Sequence, residues 1–254
     1  MKIVLITQRD PFFLAENIDF LLKQMCNHSQ VVGCVVFDVA PFGKKKSILQ
    51  QAKETFDTFG SAFFLRYSWL YFINKFNPDK NIEVVLKKHK VPIIHLEKSI
   101  NDPKSIDKIK SFDPALLISV AGNQIFKKPI IELAPKGCLN LHTALLPKYR
   151  GLMPTFWVMK NNEKETGVSI FFVDEGIDSG PIIVQKKVEI GNRSQSELIK
   201  HTKLLGMEGI IEAVNKIHTG KYDLIPNPEE ELTYFSKPTS ADVREFLASG
   251  KRFY

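Results

Sequence analysis

With 254 residues, 44% of them hydrophobic and 25% charged, the chain can bury a substantial core and is too ordinary in composition for disorder or a fibrous repeat. Its formal charge of +7 favours anionic partners, but the lysines are spread along the chain with one compact run at 44–46, so a solvated basic surface is expected rather than a nucleic-acid face. Cys26, Cys34 and Cys138 are odd in number and widely spaced among apolar neighbours, which argues against a disulfide framework. The apolar run at the start is too short for a signal segment and no stretch approaches ~20 apolar residues, so no membrane span and a cytoplasmic location are expected.

In chain order, the β-branched run at 3–7 predicts a strand, 16–25 a helix, and the Val-rich 31–37 a second strand. A polar, helix-compatible region begins at Ser47, an apolar segment lies near 91–95, a helix is expected over 104–110 and a strand over 115–120. This alternation predicts an α/β, Rossmann-like, mostly parallel sheet with helices on both faces. The runs IVLIT and ALLISV are apolar on both sides, as strands covered on both faces require.

From Ser194 the spacing turns helical through Leu198, Ile199, Leu205, Ile210, Val214 and Ile217; Ser194 and Glu197 form a possible capping box and the helix ends near Gly220. Residues 1–220 therefore read as the main domain. Residues 221–254, with Pro226, Pro228 and Pro238, read as a short C-terminal extension, extended first and helical over 240–247. The segment 61–76, SAFFLRYSWLYFINKF, is dense in aromatic residues. It suits a helix packed into the core or a dimer interface better than a substrate wall, although the wall stays open.

In open α/β sheets ligands collect beyond the carboxyl ends of the strands, which directs attention to GCLNLHTALLPKYRG at 137–151. A strand there presents Asn140 and His142 on one side, because side chains repeat every second residue. Taken alone, such a pair is more often a structural hydrogen-bond pair than a catalytic one.

NLHTALLPKYRG resembles the signature of the folate-dependent formyltransferase family, and the similarity runs over about 1–220, including VVGCVVFD, KVPIIHLEKSIN and FDPALLISVAGNQIFKKPII. The resemblance implies a catalytic trio of Asn140, His142 and Asp178, with Asp178 rather than Asp174 taken from VSIFFVDEGIDSGPII. It implies 10-formyl-tetrahydrofolate as co-substrate, held by Gln124, Ile125 and Phe126, by Ala144, Leu145, Leu146 and Pro147, and by Val173, Asp174, Glu175, Gly176 and Ile177. The residue types suit the chemistry: an amide and a protonated imidazole stabilise an oxyanion, imidazole moves protons near neutral pH, and a carboxylate favours the charged ring.

Other chemistries fit poorly. DEGIDSG lacks the turn glycine and the bidentate glutamate of a calcium loop, so no metal is expected. No G-x-S-x-G elbow supports a Ser, His and Asp hydrolase, and PFGKKK at 41–46 is not a phosphate-binding loop. Within the family, enzymes acting on glycinamide ribonucleotide carry a Gly-rich turn after the first strand, where this chain reads TQRDPFFLAEN; methionyl-tRNA enzymes add a sizeable RNA-binding domain, for which 221–254 is too short. The resemblance therefore leaves a small-molecule acceptor, an amino sugar on a nucleotide carrier, with Arg66, Tyr67, Trp69, Lys148 and Arg150 as contact candidates and a homodimer as a possible assembly. A methionyl-tRNA-type enzyme without that domain and a non-catalytic folate-binding relative stay as alternatives.

Overall fold

The structure, a computed structural model, describes residues 1–38 and 47–254. The lysine run at 44–46 and the PFGKKK segment lie outside the described residues.

Six strands form one sheet in the order β2-β1-β3-β4-β6-β7. β1 (Lys2–Gln8), β2 (Gln30–Phe37), β3 (Leu116–Val120) and β4 (Cys138–His142) pair in parallel. β6 (Glu165–Phe172) is antiparallel to β4, and β7 (Ile182–Glu189) is antiparallel to β6. The expected mostly parallel α/β sheet is present. The 91–95 segment adds only an edge bridge, with Ile93 opposite Cys34.

Alternation along the strands sorts the core into two layers. Ile3, Leu5, Leu139 and Leu141 pack with α1 (Leu14–Gln24), α3 (Ile82–Lys88) and α7 (Gln195–Thr219). Val4, Ile6, Leu117 and Cys138 pack with α4 (Pro103–Lys110) and α5 (Lys128–Ile131) on the other face. Burial of Cys34 and Cys138 in these layers pushes both thiols well above their usual pKa, and all three cysteines are unpaired. The α7 helix starts at the Ser194–Glu197 capping box and stops at Gly220 in the left-handed region, as its sequence predicts.

A further apolar cluster joins α6 (Pro154–Lys160), α8 (Ser240–Ala248) and the chain end: Phe246 stacks on Phe156 at 4.9 Å, and Phe253 on Phe246 at 4.9 Å. Residues 221–254 thus complete the main unit. β8 (Tyr234–Phe235) pairs with β5 (Arg150–Gly151), and Gln195 N–H donates to the Arg252 carbonyl at 2.9 Å.

The α2 helix (Ile48–Lys75) begins at a Ser47–Gln50 capping box and is kinked at Gly60, whose φ of 83° and ψ of 173° break the helical path. Phe63 stacks on Phe59 at 4.5 Å and on Tyr67 at 4.3 Å, and its edge meets Phe253. The 61–76 segment is therefore a surface helix with one packed face.

Candidate active site

β4 ends the parallel part of the sheet and delivers two polar side chains between apolar ones. Leu139 and Leu141 enter the α7 layer, so Asn140 and His142 project to the opposite side. Asn140 is half-buried, and its amide makes no hydrogen bond among the described residues. That leaves two donors and an acceptor available to a ligand.

His142 is 6% exposed, and its Nε2 lies 2.7 Å from the Tyr149 carbonyl oxygen. A carbonyl only accepts, so Nε2 carries a proton and the ring's variable position is Nδ1. Nδ1 faces Asp178 Oδ2 at 3.5 Å, an ion-pair separation longer than a hydrogen bond. The 173–181 connection folds back over the sheet to make this contact, since β6 ends at Phe172, opposite Leu139 rather than His142.

Asp178 is held by two hydrogen bonds, one to its side chain and one to its backbone. Its Oδ2 accepts from Gly151 N–H at 3.0 Å, and its backbone carbonyl accepts from Asn227 Nδ2 at 2.9 Å, which also donates to Gly180 O at 2.9 Å. These bonds hold a non-glycine residue at φ 50°, a sparsely populated conformation. Gly151 is required at its own position: φ is 95°, and a Cβ would lie 2.3 Å from the Phe235 carbonyl oxygen on β8.

Arg150 differs from its sequence expectation. It is 3% exposed, and its Nη2 donates to both Asn227 Oδ1 (2.9 Å) and Asn227 O (3.1 Å), so this guanidinium braces the fold instead of facing an acceptor. The other contact candidates are scattered. Lys148 is exposed, Arg66 lies 4.2 Å over the Tyr254 ring, Tyr67 meets Phe12 edge-on at 5.4 Å, and Trp69 faces outward.

The 144–147 turn is clamped from below. Ser169 Oγ donates to Ala144 O at 2.8 Å and accepts from Leu146 N–H at 3.1 Å, while Gln185 Nε2 donates to Leu146 O at 2.9 Å and to Ser169 Oγ at 3.0 Å. Neither Ser169 nor Gln185 stands out in the sequence, because their partners lie up to 39 residues away. Pro147 closes the turn, and Leu145 borders a cavity of about 990 Å³ that Lys148, Tyr149, Asn162, Glu163 and Glu189 also line. The trio is not in that lining. The Tyr149 side chain turns to this cavity and donates to Glu163 Oε1 at 2.6 Å; burial, with that carboxylate, pushes its hydroxyl up to about 12.

At the end of β3, Gln124 Oε1 accepts from Ile100 N–H at 2.9 Å, Ile125 O accepts from Asn101 Nδ2 at 2.8 Å, and Phe126 is packed in the core. Two of these three side chains therefore support the segment, while that of Ile125 is exposed. In the 173–177 stretch, Val173 N–H donates to Cys138 O at 2.7 Å and Asp174 Oδ1 accepts from Gly176 N–H at 3.1 Å, with Glu175 and Ile177 exposed. Asp174 thus shapes its own turn, and Asp178 is the carboxylate beside His142. Among the described residues no group of three His, Cys, Asp or Glu side chains suits a metal ion, and no helix is long and apolar enough to cross a membrane.

The segment after β1 offers little room for a phosphate. Asp10 Oδ1 accepts from Phe12 N–H at 2.6 Å and Phe13 N–H at 3.2 Å, so a carboxylate already occupies the backbone donors there. Half-buried Lys203 on α7 has its pKa lowered by burial, with nearby Asp10 opposing that shift, and it has no ion pair among the described residues.

A family model described as formyl transferase matches residues 1–214. The methionyl-tRNA formyltransferase of Kosmotoga olearia is 37% identical over 163 residues, covering 64% of this chain and 52% of that protein. That of Thermodesulfovibrio yellowstonii is 41% identical over 146 residues, covering 57% and 46%. The chain spans about half the length of the curated relatives it matches. Among solved structures, glycinamide ribonucleotide transformylase 1 from Symbiobacterium toebii superposes with a TM-score of 0.61 at 15% identity, covering 89% of this chain and 92% of that one. An N-formyltransferase from Helicobacter canadensis, in complex with folinic acid and dTDP-3-aminofucose, gives 0.57 at 19% identity, covering 93% and 71%. These likenesses bear on the fold, whereas the family model accounts for most of the sequence: the chain belongs to the formyl transferase family.

Proposed function

We propose that this chain moves a formyl group from 10-formyl-tetrahydrofolate to a primary amine at Asn140, His142 and Asp178. The observation that carries this reading is the buried His142–Asp178 contact at 3.5 Å beside the unbonded Asn140 amide. The donor, when bound, supplies an electrophilic formyl carbon on a nitrogen that can leave. As the amine forms its new bond to that carbon, Asn140 donates to the oxyanion, together with Nδ1–H of the charged imidazole. As the bond from carbon to the donor nitrogen breaks, the ring gives this Nδ1 proton to the departing nitrogen and then takes one at Nδ1 from the positively charged nitrogen of the former amine, while Nε2 stays fixed on Tyr149. Asp178 supports the cationic ring electrostatically, held in place by Gly151 and Asn227.

The donor reading also rests on the 144–147 turn, whose free edge is positioned by Ser169 and Gln185. Ser169→Ala removes a hydroxyl that serves Ala144 O, Leu146 N–H and Gln185 at once. Leaving such buried groups unmatched costs about 1–3 kcal/mol. The expected result is a rise of about tenfold in KM for the folate donor with a smaller change in kcat, measured by initial-rate kinetics. A kcat loss with unchanged donor KM would contradict this role for the turn.

For the acceptor we favour an amino sugar on a nucleotide carrier. The occupied donors after β1 speak against glycinamide ribonucleotide docked by its phosphate on that loop. The 37–41% identity to methionyl-tRNA formyltransferases favours a second reading, in which the amine is that of methionine on tRNA. Purified protein with the folate donor is to be offered nucleotide-linked amino sugars, charged tRNA and glycinamide ribonucleotide in parallel. Turnover of tRNA alone rejects the sugar, and turnover of none rejects formyl transfer to these amines.

A further inference from the structure

We infer that the outward face of the second half of α2 is the surface through which two copies of this chain associate. Beyond Gly60 the helix has two apolar sides. Phe63, Tyr67 and Asn74 lie on the inward side, with Phe63 packed on Phe59 and Phe253, Tyr67 on Phe12, and Asn74 Nδ2 donating to Pro11 O at 2.9 Å. At 100° per residue, Leu65, Trp69, Phe72 and Phe76 form a row on the opposite side. They are 66%, 64%, 57% and 71% exposed, with Ile73 alongside at 44%.

The 4-3-4 spacing of that outer row is the seam spacing of paired helices. A stripe of this length runs about 16 Å along the axis. From their fractional exposures the five side chains offer about 600 Å² per copy, given 150–250 Å² for each aromatic. Two such faces together reach the lower end of the roughly 1,200–2,000 Å² of stable interfaces, and neighbouring contacts would add to it.

A second copy suits this face better than a lipid surface. Helices that lie on membranes set a strongly basic, polar side against their apolar one. Here the side opposite the stripe is packed on protein, and the charged residues of 61–76 are Arg66, resting on Tyr254, and Lys75. Ala62, Ser61 and Ser68 border the stripe, small groups that let another helix approach closely. A single apolar row is self-complementary, so a two-fold axis covers it with the same row of the partner. Since the inward row packs on Phe12 and Phe253, the association would also brace the segment after β1.

Sedimentation equilibrium of the full chain at micromolar concentration should give twice the chain mass of 28.9 kDa. Trp69→Glu and Phe72→Glu should each return the chain to a single copy, with circular dichroism and melting temperature near wild type, while Tyr71→Glu, off the row, should stay paired. An independent readout needs no variant: Trp157 is buried, so the emission that shifts to the red on dilution should be that of Trp69. A wild-type chain that stays single through the micromolar range overturns the inference, as does a pair that survives Trp69→Glu. Binding of single copies to phosphatidylglycerol–phosphatidylcholine vesicles, with a blue shift of Trp69, would overturn it in favour of a lipid surface.

Discussion

His142→Ala is expected to lower kcat for formyl transfer by about a thousandfold, within the 10²–10⁴ range for loss of a positioned acid–base group. Affinity for the folate donor should change by less than about threefold, because the ring's Nε2 is engaged with the Tyr149 carbonyl and only Nδ1 faces the reaction. The variant leaves that buried carbonyl without its donor, a cost of about 1–3 kcal/mol that a thermal melt should register. Single-turnover rates and equilibrium dialysis with a non-transferable folate analogue separate chemistry from binding. Full turnover would reject His142 as the proton carrier. Intact binding with no turnover would reject the reading of the chain as a binding relative, provided the wild type turns over.

Asn227→Ala should have the largest effect on stability. The Asn227 side chain accepts from the buried Arg150 guanidinium and donates to the carbonyls of Asp178 and Gly180. Removing it deprives an interior charge of a partner, and the Arg150 Nε already has no hydrogen-bond partner among the described residues. Leaving buried hydrogen-bonding groups unmatched costs about 1–3 kcal/mol, and more for a charged donor. The backbone carbonyl of residue 227 still accepts from Arg150, so a loss of about 3 kcal/mol is expected. For a chain of this size that is a fall of roughly 6–12 °C in Tm. Activity should fall as well, because Asp178 loses a restraint on its left-handed conformation. Arg150→Met combined with Asn227→Ala should be less destabilised than the sum of the two single variants, since no stranded charge remains. Strict additivity in urea melts would show that the two residues act separately.

Residues 221–254 have a different importance in three dimensions than in the sequence. Their composition suggests an appendix, yet Thr233 Oγ1 accepts from Tyr149 N–H at 2.8 Å, Asn227 holds the Asp178 turn, and Phe235 stacks on Tyr149 at 5.3 Å. The extension therefore positions the segment that fixes His142.

What the sequence by itself determined was local: strands from β-branched runs, the α7 boundaries from Ser194, Glu197 and Gly220, and one side of a strand for Asn140 and His142 from their spacing. Each follows from interactions within a few residues, which periodicity and capping encode directly. Family resemblance singled out Asp178, and the structure brings it 36 residues back to His142 while Asp174 closes its own turn. Tertiary structure alone decided that β6 and β7 run antiparallel, that Arg150 is interior, and that Ser169, Gln185 and Asn227 support the site. Those outcomes depend on partners as far as 77 residues away, and a polar side chain carries no local mark of the distant backbone group it will meet. The outward row of α2 belongs to both levels: its spacing is written in the sequence, but only the packing of Phe63 and Tyr67 shows which side of the helix is left uncovered.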